Sequence, residues 1–306
     1  MERMILRRLV LVPPTVLAVI TIAFVLMRTA PGGPYDLEKP LDPAALENLK
    51  RVFRLDEPVW RQYLDYLTGL ARGDLGPSYG WRDFSVGELL AKALPVSFSL
   101  GAAALIVALI VGSLAGVAAA ERRGGAIDRV VTFAASLGLV LPNFVLAPLA
   151  QALFGLKLGW LPVGGWNGGA LPNRVLPVAI LAAPQIAAVA RLTRSATIDA
   201  LTAPASRTLR AYGLGRRTIL AHAFRAALLP LISYLGPAAA ALTTGSVVVE
   251  TIFGIPGIGR YFVEAALNRD YTLAMGVAIV VAAMIILFNV LVDIAFAFID
   301  PRVGRE

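Results

Sequence analysis

The stretch RTLRAYGLGRRTILAHAFRAALLPLI, residues 207–232, places five arginines and the only histidine of the chain directly before an apolar run. The pattern predicts a helix from about residue 193 to 212, an interruption at GLG (residues 213–215), and a second helix from Arg216. Gly213 is expected to end the first helix, because glycine adopts a left-handed backbone without steric cost.

The second helix of this stretch is amphipathic, with apolar residues on one face and Thr218, His222 and Arg225 on the other. Pro230 is expected to open the next helix, since a missing N–H is tolerated at a helix start. A charged loop lying on a membrane surface would have the same composition. The helix–turn–helix shape, directly before an apolar run, instead favours a stiff element that delivers force to the following helix.

The rest of the chain is too apolar for a soluble domain. Of 306 residues, 58% are hydrophobic and 16% are charged, against roughly half and a quarter in ordinary globular domains. The apolar residues collect in runs of about 20, the length that crosses a hydrocarbon core of about 30 Å as a helix. The sequence therefore predicts an all-α, polytopic membrane protein with six transmembrane helices, at residues 9–30, 96–120, 130–154, 171–190, 230–249 and 273–299.

Individual spans carry further expectations. The fourth contains Pro172, Pro177 and Pro184, which predict a bent or broken helix. The first follows Arg3, Arg7 and Arg8, and so it could also be a signal peptide, although its apolar core is long for one.

Arginine placement predicts the orientation. The segments that would be cytoplasmic with an inside N-terminus hold fifteen arginines and six acidic residues, so both termini are predicted to be cytoplasmic.

The predicted regions are residues 1–30, an outer segment 31–95, and a core 96–306 that contains the cytoplasmic loop 193–229. The outer segment is expected to hold a helix opening at Asp42–Pro43 and another bearing Trp60, Tyr63, Leu64, Leu67 and Leu70.

Several functional classes do not fit. The chain has no cysteine and one histidine, which excludes thiolate metal sites and a histidine-rich metal centre. None of the four lysines follows a glycine, so the chain lacks a phosphate-binding P-loop and is expected to bind no nucleotide or other cofactor. The net charge of +8 reports topology, and no nucleic-acid partner is predicted.

Polar residues within the predicted spans are candidates for lining a translocation path. Asn289 and Asp293 share one face of span six, and Asn143 follows Pro142 in span three. The alternative is that these side chains form hydrogen bonds between helices. Gly112 and Gly116 form a G-x-x-x-G pair that is typical of close helix packing.

The loop resembles the cytoplasmic EAA loop in permease subunits of ABC importers of the peptide branch. The matching residues are Arg207, Thr208, Arg210, Ala211, Gly213, Leu214, Arg216, Arg217, His222, Ala223, Leu228, Leu229 and Pro230. Further similar stretches are TAPGGPYD (29–36), LDEPVWRQYLDYLTGLARGDLGPSY (55–79), ETIFGIPGIGRYFVEAALNRDYTLAMG (250–276) and DPRV (300–303). WLPVGGWNGG (160–169) favours the oligopeptide members over dipeptide or nickel relatives.

This resemblance implies a type I importer (MetI-like) fold and a set of site residues. The ATPase-coupling candidates are Arg207, Arg210, Gly213, Leu214, Arg216 and Arg217, and a loop at the outer mouth holds Gly254, Pro256, Gly257 and Gly259. Tyr212 and the PAS sequence at 204–206 depart from the family pattern, which puts individual docking contacts in doubt. The paired glycines could pack within the subunit or form a seam with a second permease.

The resemblance also implies partners and a location. The expected partners are a homologous permease in a heterodimer, two cytoplasmic ATPase subunits, a periplasmic or lipid-anchored peptide-binding protein, and membrane lipid. The expected location is the bacterial inner membrane, and the chain itself is not expected to be an enzyme. Dipeptides, nickel or another small solute are alternative cargoes, and an ion-coupled secondary transporter is a rival from another class.

Overall fold

The computed structural model describes residues 2–29, 47, 56–81 and 83–299; within these ranges the side chains of residues 2–9, 244–245, 293 and 295–299 are not described. The described residues form ten α-helices, and no strand occurs among them. The helices are α1 Glu2–Thr29, α2 Val59–Ala71, α3 Val86–Glu121, α4 Ala126–Val140, α5 Asn143–Ala150, α6 Leu171–Thr202, α7 Pro204–Ala211, α8 Arg216–Phe253, α9 Ile258–Leu267 and α10 Tyr271–Ile299.

Five of these helices, α1, α3, α6, α8 and α10, are long and apolar enough to cross a membrane. The pair α4 and α5, extended by a π-helical turn at Gln151–Lys157, gives a sixth crossing if the two count as one span. The all-α fold is confirmed, and six spans are consistent with it. The core lies where α3, α6 and α8 meet, around the buried Leu100, Leu181 and Phe253.

The third predicted span is not one straight helix, which corrects the expectation for residues 130–154. The chain direction changes by 103° between its two halves. The break falls at Leu141, which is extended (φ −77°, ψ 116°), and Pro142 follows it. Because proline disfavours the helical conformation in the preceding residue, α4 ends there and α5 sets off in a new direction.

The fourth span, which was expected to be bent or broken, is one continuous helix. Pro172 lies in the first turn of α6, where no N–H is needed, and the helix continues through Pro177 and Pro184. The cost of the two inner prolines is offset by packing, since Leu176, Pro177 and Leu181 are buried. In the centre of the bundle, tertiary contacts outweigh local helix propensity.

Two helix boundaries of the basic loop also differ from prediction. The expected helix from 193 to 212 is interrupted at Ala203, which is extended (ψ 153°) before Pro204. Pro230 does not open a helix. It lies inside α8, which runs without interruption from Arg216 to Phe253.

The G-x-x-x-G pair packs within the subunit. A Cβ on Gly112 would stand 2.8 Å from the side chain of Val189, and one on Gly116 would stand 2.6 Å from the carbonyl oxygen of Ala190. The two glycines therefore let α3 approach the backbone of α6 closely. The alternative of a seam with another subunit is wrong for this pair of glycines.

The described part of the outer segment holds one helix, α2, followed by turns up to the start of α3. Helix α2 follows the predicted pattern and lies against α1, with the hydroxyls of Tyr63 and Thr21 2.7 Å apart. Helix α3 begins at Val86, capped by Ser85, so its first residues belong to the predicted outer segment, and the boundary at residue 95 stays a prediction. The predicted helix at Asp42–Pro43, most of the 29–36 motif and the 300–303 motif lie outside the described residues.

Candidate functional site

The basic elbow, residues 203–216, links the end of α6 to the start of α8. Helix α7 fills its first half and ends at Ala211. Gly213 then takes a left-handed backbone (φ +75°), and its N–H donates to the carbonyl of Arg210 at 2.9 Å. Gly215 is the N-cap of α8. The predicted glycine turn and the restart at Arg216 are confirmed.

The elbow is held in place by bonds to the neighbouring helices. The buried Ser206 hydroxyl donates to the carbonyl of Ala200 at 2.6 Å, which bridges the break between α6 and α7. The Arg210 guanidinium donates to the carbonyl of Leu201 at 3.0 Å. Such bonds fix the angle between α6 and α7, so the elbow has a defined shape.

Arg216 connects the elbow to a third helix. Its guanidinium lies 3.2 Å from the carboxylate of Glu121 at the end of α3 and also donates to the Glu121 carbonyl at 3.0 Å. The pair is largely exposed and so contributes little to stability by itself. Its geometry nevertheless binds the first turn of α8 to α3.

These bonds divide the predicted docking residues into two groups. Arg210 and Arg216 are committed to contacts within the chain, and Leu214 is half-buried. Arg207 and Arg217 are exposed, and no side-chain hydrogen bond or ion pair joins either to another described residue. Tyr212, at the tip, is 79% exposed. The free basic surface of the elbow therefore consists of Arg207 and Arg217, with Tyr212 between them in sequence.

A groove lies behind the elbow, where the ends of α3 and α6 approach α7 and the start of α8. Its lining is Glu121, Leu201, Arg210, Leu214, Arg216, Ile219 and Leu220. The apolar face predicted for the start of α8 turns inward, since Ile219, Ala223 and Ala227 are buried while Thr218, His222 and Arg225 are exposed. The apolar face at the start of α8 therefore packs against the bundle and holds the elbow in position.

A second ion pair links helices at the same end of the bundle. Arg194 of α6 donates from Nε and Nη2 to the carboxylate of Asp128 in the first turn of α4, the Nη2 bond measuring 2.8 Å. Asp128 is 5% exposed and also accepts from the N–H of Gly124. Neither residue stands out in the sequence, because both fit a generic charged loop.

We expect Arg194→Ala to lower the stability of the bundle moderately. Asp128 would keep its burial but lose its bidentate partner, at a cost of about 1 to 2 kcal/mol, discounted because water reaches Arg194. Thermal unfolding of the detergent-solubilised protein would show a fall of about 4 °C. Arg260→Ala, which breaks an exposed pair with Glu264, is the control and should shift the midpoint little. Equal shifts for the two variants would contradict the expectation.

The glycine-rich loop GIPGIGR closes the opposite end of α8. Gly254 is left-handed (φ +64°) and ends the helix, and after Pro256 the chain turns into α9 at Gly257. A Cβ on Gly257 would stand 2.6 Å from the Ser97 hydroxyl and would overlap the Glu250 carboxylate, and one on Gly259 would overlap the backbone of Val247. The loop therefore makes a tight turn and packs closely against α3 and α8.

Glu250 is the residue of this region that the sequence analysis missed. It was counted with the outer loop, but it lies in the last turn of α8 and is fully buried. Its Oε2 accepts the N–H of Gly259 at 2.7 Å. It is the only acidic residue of α8, and an acid four residues before such a glycine turn is the signal that could have indicated it.

The polar residues of the spans lie on different helices. Asn143 is half-buried at the start of α5, just after the bend. Asn289 of α10 is half-buried against Gly236 of α8, whose Cβ would stand 2.6 Å from its Oδ1. The side chain of Asp293 lies outside the described residues. Path lining by these residues stays a prediction.

Two glutamines of the spans form bonds between elements. The Gln185 side chain of α6 accepts from the Tyr234 hydroxyl of α8 at 2.8 Å. The Gln151 amide donates to the carbonyl of Val163 at 2.7 Å. Both residues therefore hold the bundle together.

Comparisons with known proteins agree with this architecture. The family described as binding-protein-dependent transport system inner membrane component matches residues 108–305, and the N-terminal family of the same systems matches residues 1–108. The chain is 48% identical to the oligopeptide transport system permease protein OppB of Escherichia coli K12 over 304 residues, 99% of each chain. It is 44% identical to OppB of Haemophilus influenzae (99% of each chain) and 40% identical to the dipeptide transport system permease protein DppB of Bacillus subtilis (99% of this chain, 98% of that protein).

The basic elbow, the glycine loop and the five to six apolar spans occur in a chain that matches these permeases along its whole length. The relatives are named as transport system permease proteins, and the matching family is described as an inner membrane component. The chain belongs to the binding-protein-dependent transport system inner membrane components, the permease subunits of ABC importers.

Proposed function

We propose that this protein forms half of the translocation path of an ATP-driven oligopeptide importer, together with a homologous permease. The observation that carries the proposal is the full-length identity of 48% to a permease named for oligopeptides, against 40% to one named for dipeptides. Partner ATPases and a binding protein follow from the family. Two ATPase subunits and a peptide-binding protein in the periplasm or anchored to lipid complete the proposed assembly.

The basic elbow is the proposed contact with an ATPase subunit. Arg207 and Arg217 offer unpaired positive charge, and Tyr212 offers an exposed ring, to an acidic or mixed groove of the partner. Arg210, Leu214 and Arg216 hold the elbow in shape around Gly213 and transmit the load to α3 and α6. ATP binding would draw the two ATPases together, tilt the elbow, and switch the path from inward-facing to outward-facing.

The proposed orientation places the elbow and both termini in the cytoplasm. Glu121, Asp128, Arg194 and Arg216 meet at one end of the bundle, and Ser97, Gln151, Glu250 and Ile258 lie at the other. The arginine excess belongs to the first end. In this orientation Asn143, Asn289 and Asp293 are proposed to line the path, and Gly254, Pro256, Gly257 and Gly259 form the outer mouth beneath the binding protein.

Reconstitution into proteoliposomes tests the function. We expect uptake of labelled oligopeptides to require ATP and a cognate binding protein, and to persist when the membrane potential is collapsed with ATP maintained. Unlabelled dipeptides and Ni²⁺ serve as competitors. Uptake that follows the membrane potential without ATP would favour an ion-coupled transporter, and uptake of dipeptides or nickel alone would overturn the oligopeptide assignment.

A further inference from the structure

The buried carboxylate at the outer end of α8 contacts a helix other than its own. Glu250 has no exposed surface, its Oε2 accepts the N–H of Gly259 in α9, and its Oε1 has no hydrogen-bond partner in the described part of the chain. An ionisable group buried in a spanning helix is a candidate for a functional role.

The Glu250 carboxylate caps the N-terminus of α9, although it belongs to another helix. The N-cap residue of α9 is Gly257, which has no side chain to accept the free N–H groups of the first turn. Two groups from other helices accept them instead. Glu250 of α8 takes the N–H of Gly259, and the Ser97 hydroxyl of α3 takes the N–H of Ile258 at 2.8 Å.

This arrangement ties the position of α9 to α8 and α3. A serine or aspartate at position 257 would cap α9 locally and leave it free to move as a unit. With the caps supplied by Glu250 and Ser97, any shift of α8 relative to α3 changes the anchor of α9. Gly257 leaves space for the Glu250 carboxylate and the Ser97 hydroxyl, and Gly259 lets α9 contact the backbone of Val247.

The other end of α8 is the basic elbow. The helix is unbroken from Arg216 to Glu250, and a helical rise of about 1.5 Å per residue places these two residues about 51 Å apart along its axis. Pro230 and Pro237 lie within it without breaking it. A displacement at the elbow therefore reaches Glu250 through one continuous helix.

We propose that Glu250 is a positioning residue for transport, which passes motion of the elbow along α8 to α9 and so sets whether the outer mouth is open. This inference rests on the proposed function. The carboxylate needs no contact with cargo for this role, since it acts on α9 through the Gly259 N–H. If the Glu250 carboxylate is removed, we expect the position of α9 to stop changing when the ATPases bind or hydrolyse ATP.

A single cysteine in α9 reports this response. The chain has no native cysteine, and Leu267 at the end of α9 is 78% exposed, so Leu267→Cys gives one site on this subunit for a membrane-impermeant maleimide. In the assembled complex in proteoliposomes, we expect ATP and binding protein to change its labelling rate about tenfold. With Glu250→Ala added, the change falls below about twofold, and the peptide imported per ATP hydrolysed falls about tenfold.

Matched variants distinguish a role of Glu250 in positioning α9 from a general effect on folding. Glu250→Gln keeps an oxygen that can accept the Gly259 N–H and is expected to retain most of the labelling response. Glu264→Gln removes a carboxylate of α9 that pairs only with Arg260, and is expected to behave like the parent. If the Glu250→Ala complex does not assemble, Ser97→Ala, which removes the second distant cap, decides the question through a smaller loss in the same direction.

The outcomes are distinct. A labelling response that survives in Glu250→Ala or Ser97→Ala, or that is absent from the parent while the parent imports peptide, overturns the positioning role and leaves the proposed function intact. A parent complex that imports no peptide on ATP overturns the proposed function and this inference with it.

Discussion

Replacement of Gly213 by glutamate is expected to lower ATP-driven peptide uptake about a hundredfold while ATP hydrolysis continues in the partner subunits, because the elbow no longer docks. The backbone at Gly213 is left-handed (φ +75°), which costs a residue with a side chain about 1 to 2 kcal/mol. No atom lies within 4 Å of an added Cβ, so the new carboxylate projects outward. It would add a negative charge to the elbow that carries Arg207 and Arg217.

The measurement is uptake and ATP turnover of the same proteoliposomes, reported as a ratio. Gly213→Ala isolates the backbone strain from the charge. Gly124→Ala is the matched control, because Gly124 is also left-handed (φ +78°), also has open space at its Cβ, and lies in the turn between α3 and α4 outside the elbow. A loss as large at Gly124 as at Gly213 would refute a specific role for the elbow.

Gly116→Ala is expected to destabilise the bundle by about 3 kcal/mol, the largest stability effect predicted for the chain. The added Cβ would stand 2.6 Å from the carbonyl oxygen of Ala190 and 2.7 Å from the Cβ of Thr193. Neither neighbour can move aside by a side-chain rotation, because the first is a backbone oxygen of α6 and the second is the Cβ of the fully buried Thr193. The helices α3 and α6 would have to separate along their contact.

The assay is thermal unfolding in detergent, where a fall of about 6 °C or more is expected. Gly101→Ala in the same helix is the control, because nothing lies within 4 Å of its added Cβ. That variant is expected to be neutral or slightly stabilising, since alanine favours the helix over glycine. A Gly116→Ala protein that melts with the parent would show that α3 and α6 do not pack as closely as described.

Much of the candidate site was predictable because its signals are local. The arginines and the glycine turn of residues 207–217 lie within two turns of each other in sequence, so helix ends and the left-handed position at Gly213 follow from residue type alone. The assignment of Arg216 to docking was less secure. Its partner Glu121 lies 95 residues away, and no local pattern reveals that this arginine is occupied by α3.

The glycines of the outer loop also show which features follow from local sequence and which depend on contacts between distant residues. GIPGIG predicts a tight turn, which Gly254 confirms. The reason that positions 257 and 259 are glycine is that Glu250, Ser97 and Val247 occupy the space of a side chain. That reason exists only after α3 and α8 have packed against α9.

The sequence by itself determined the helical class, the number of apolar runs and the basic elbow, because each depends on hydrophobic length or on backbone preferences within a few residues. The tertiary structure alone decided that α6 continues through two prolines and that Glu250 caps α9 from α8. Each of these outcomes balances a local cost against contacts with residues distant in the chain, and only packing sets the size of those contacts.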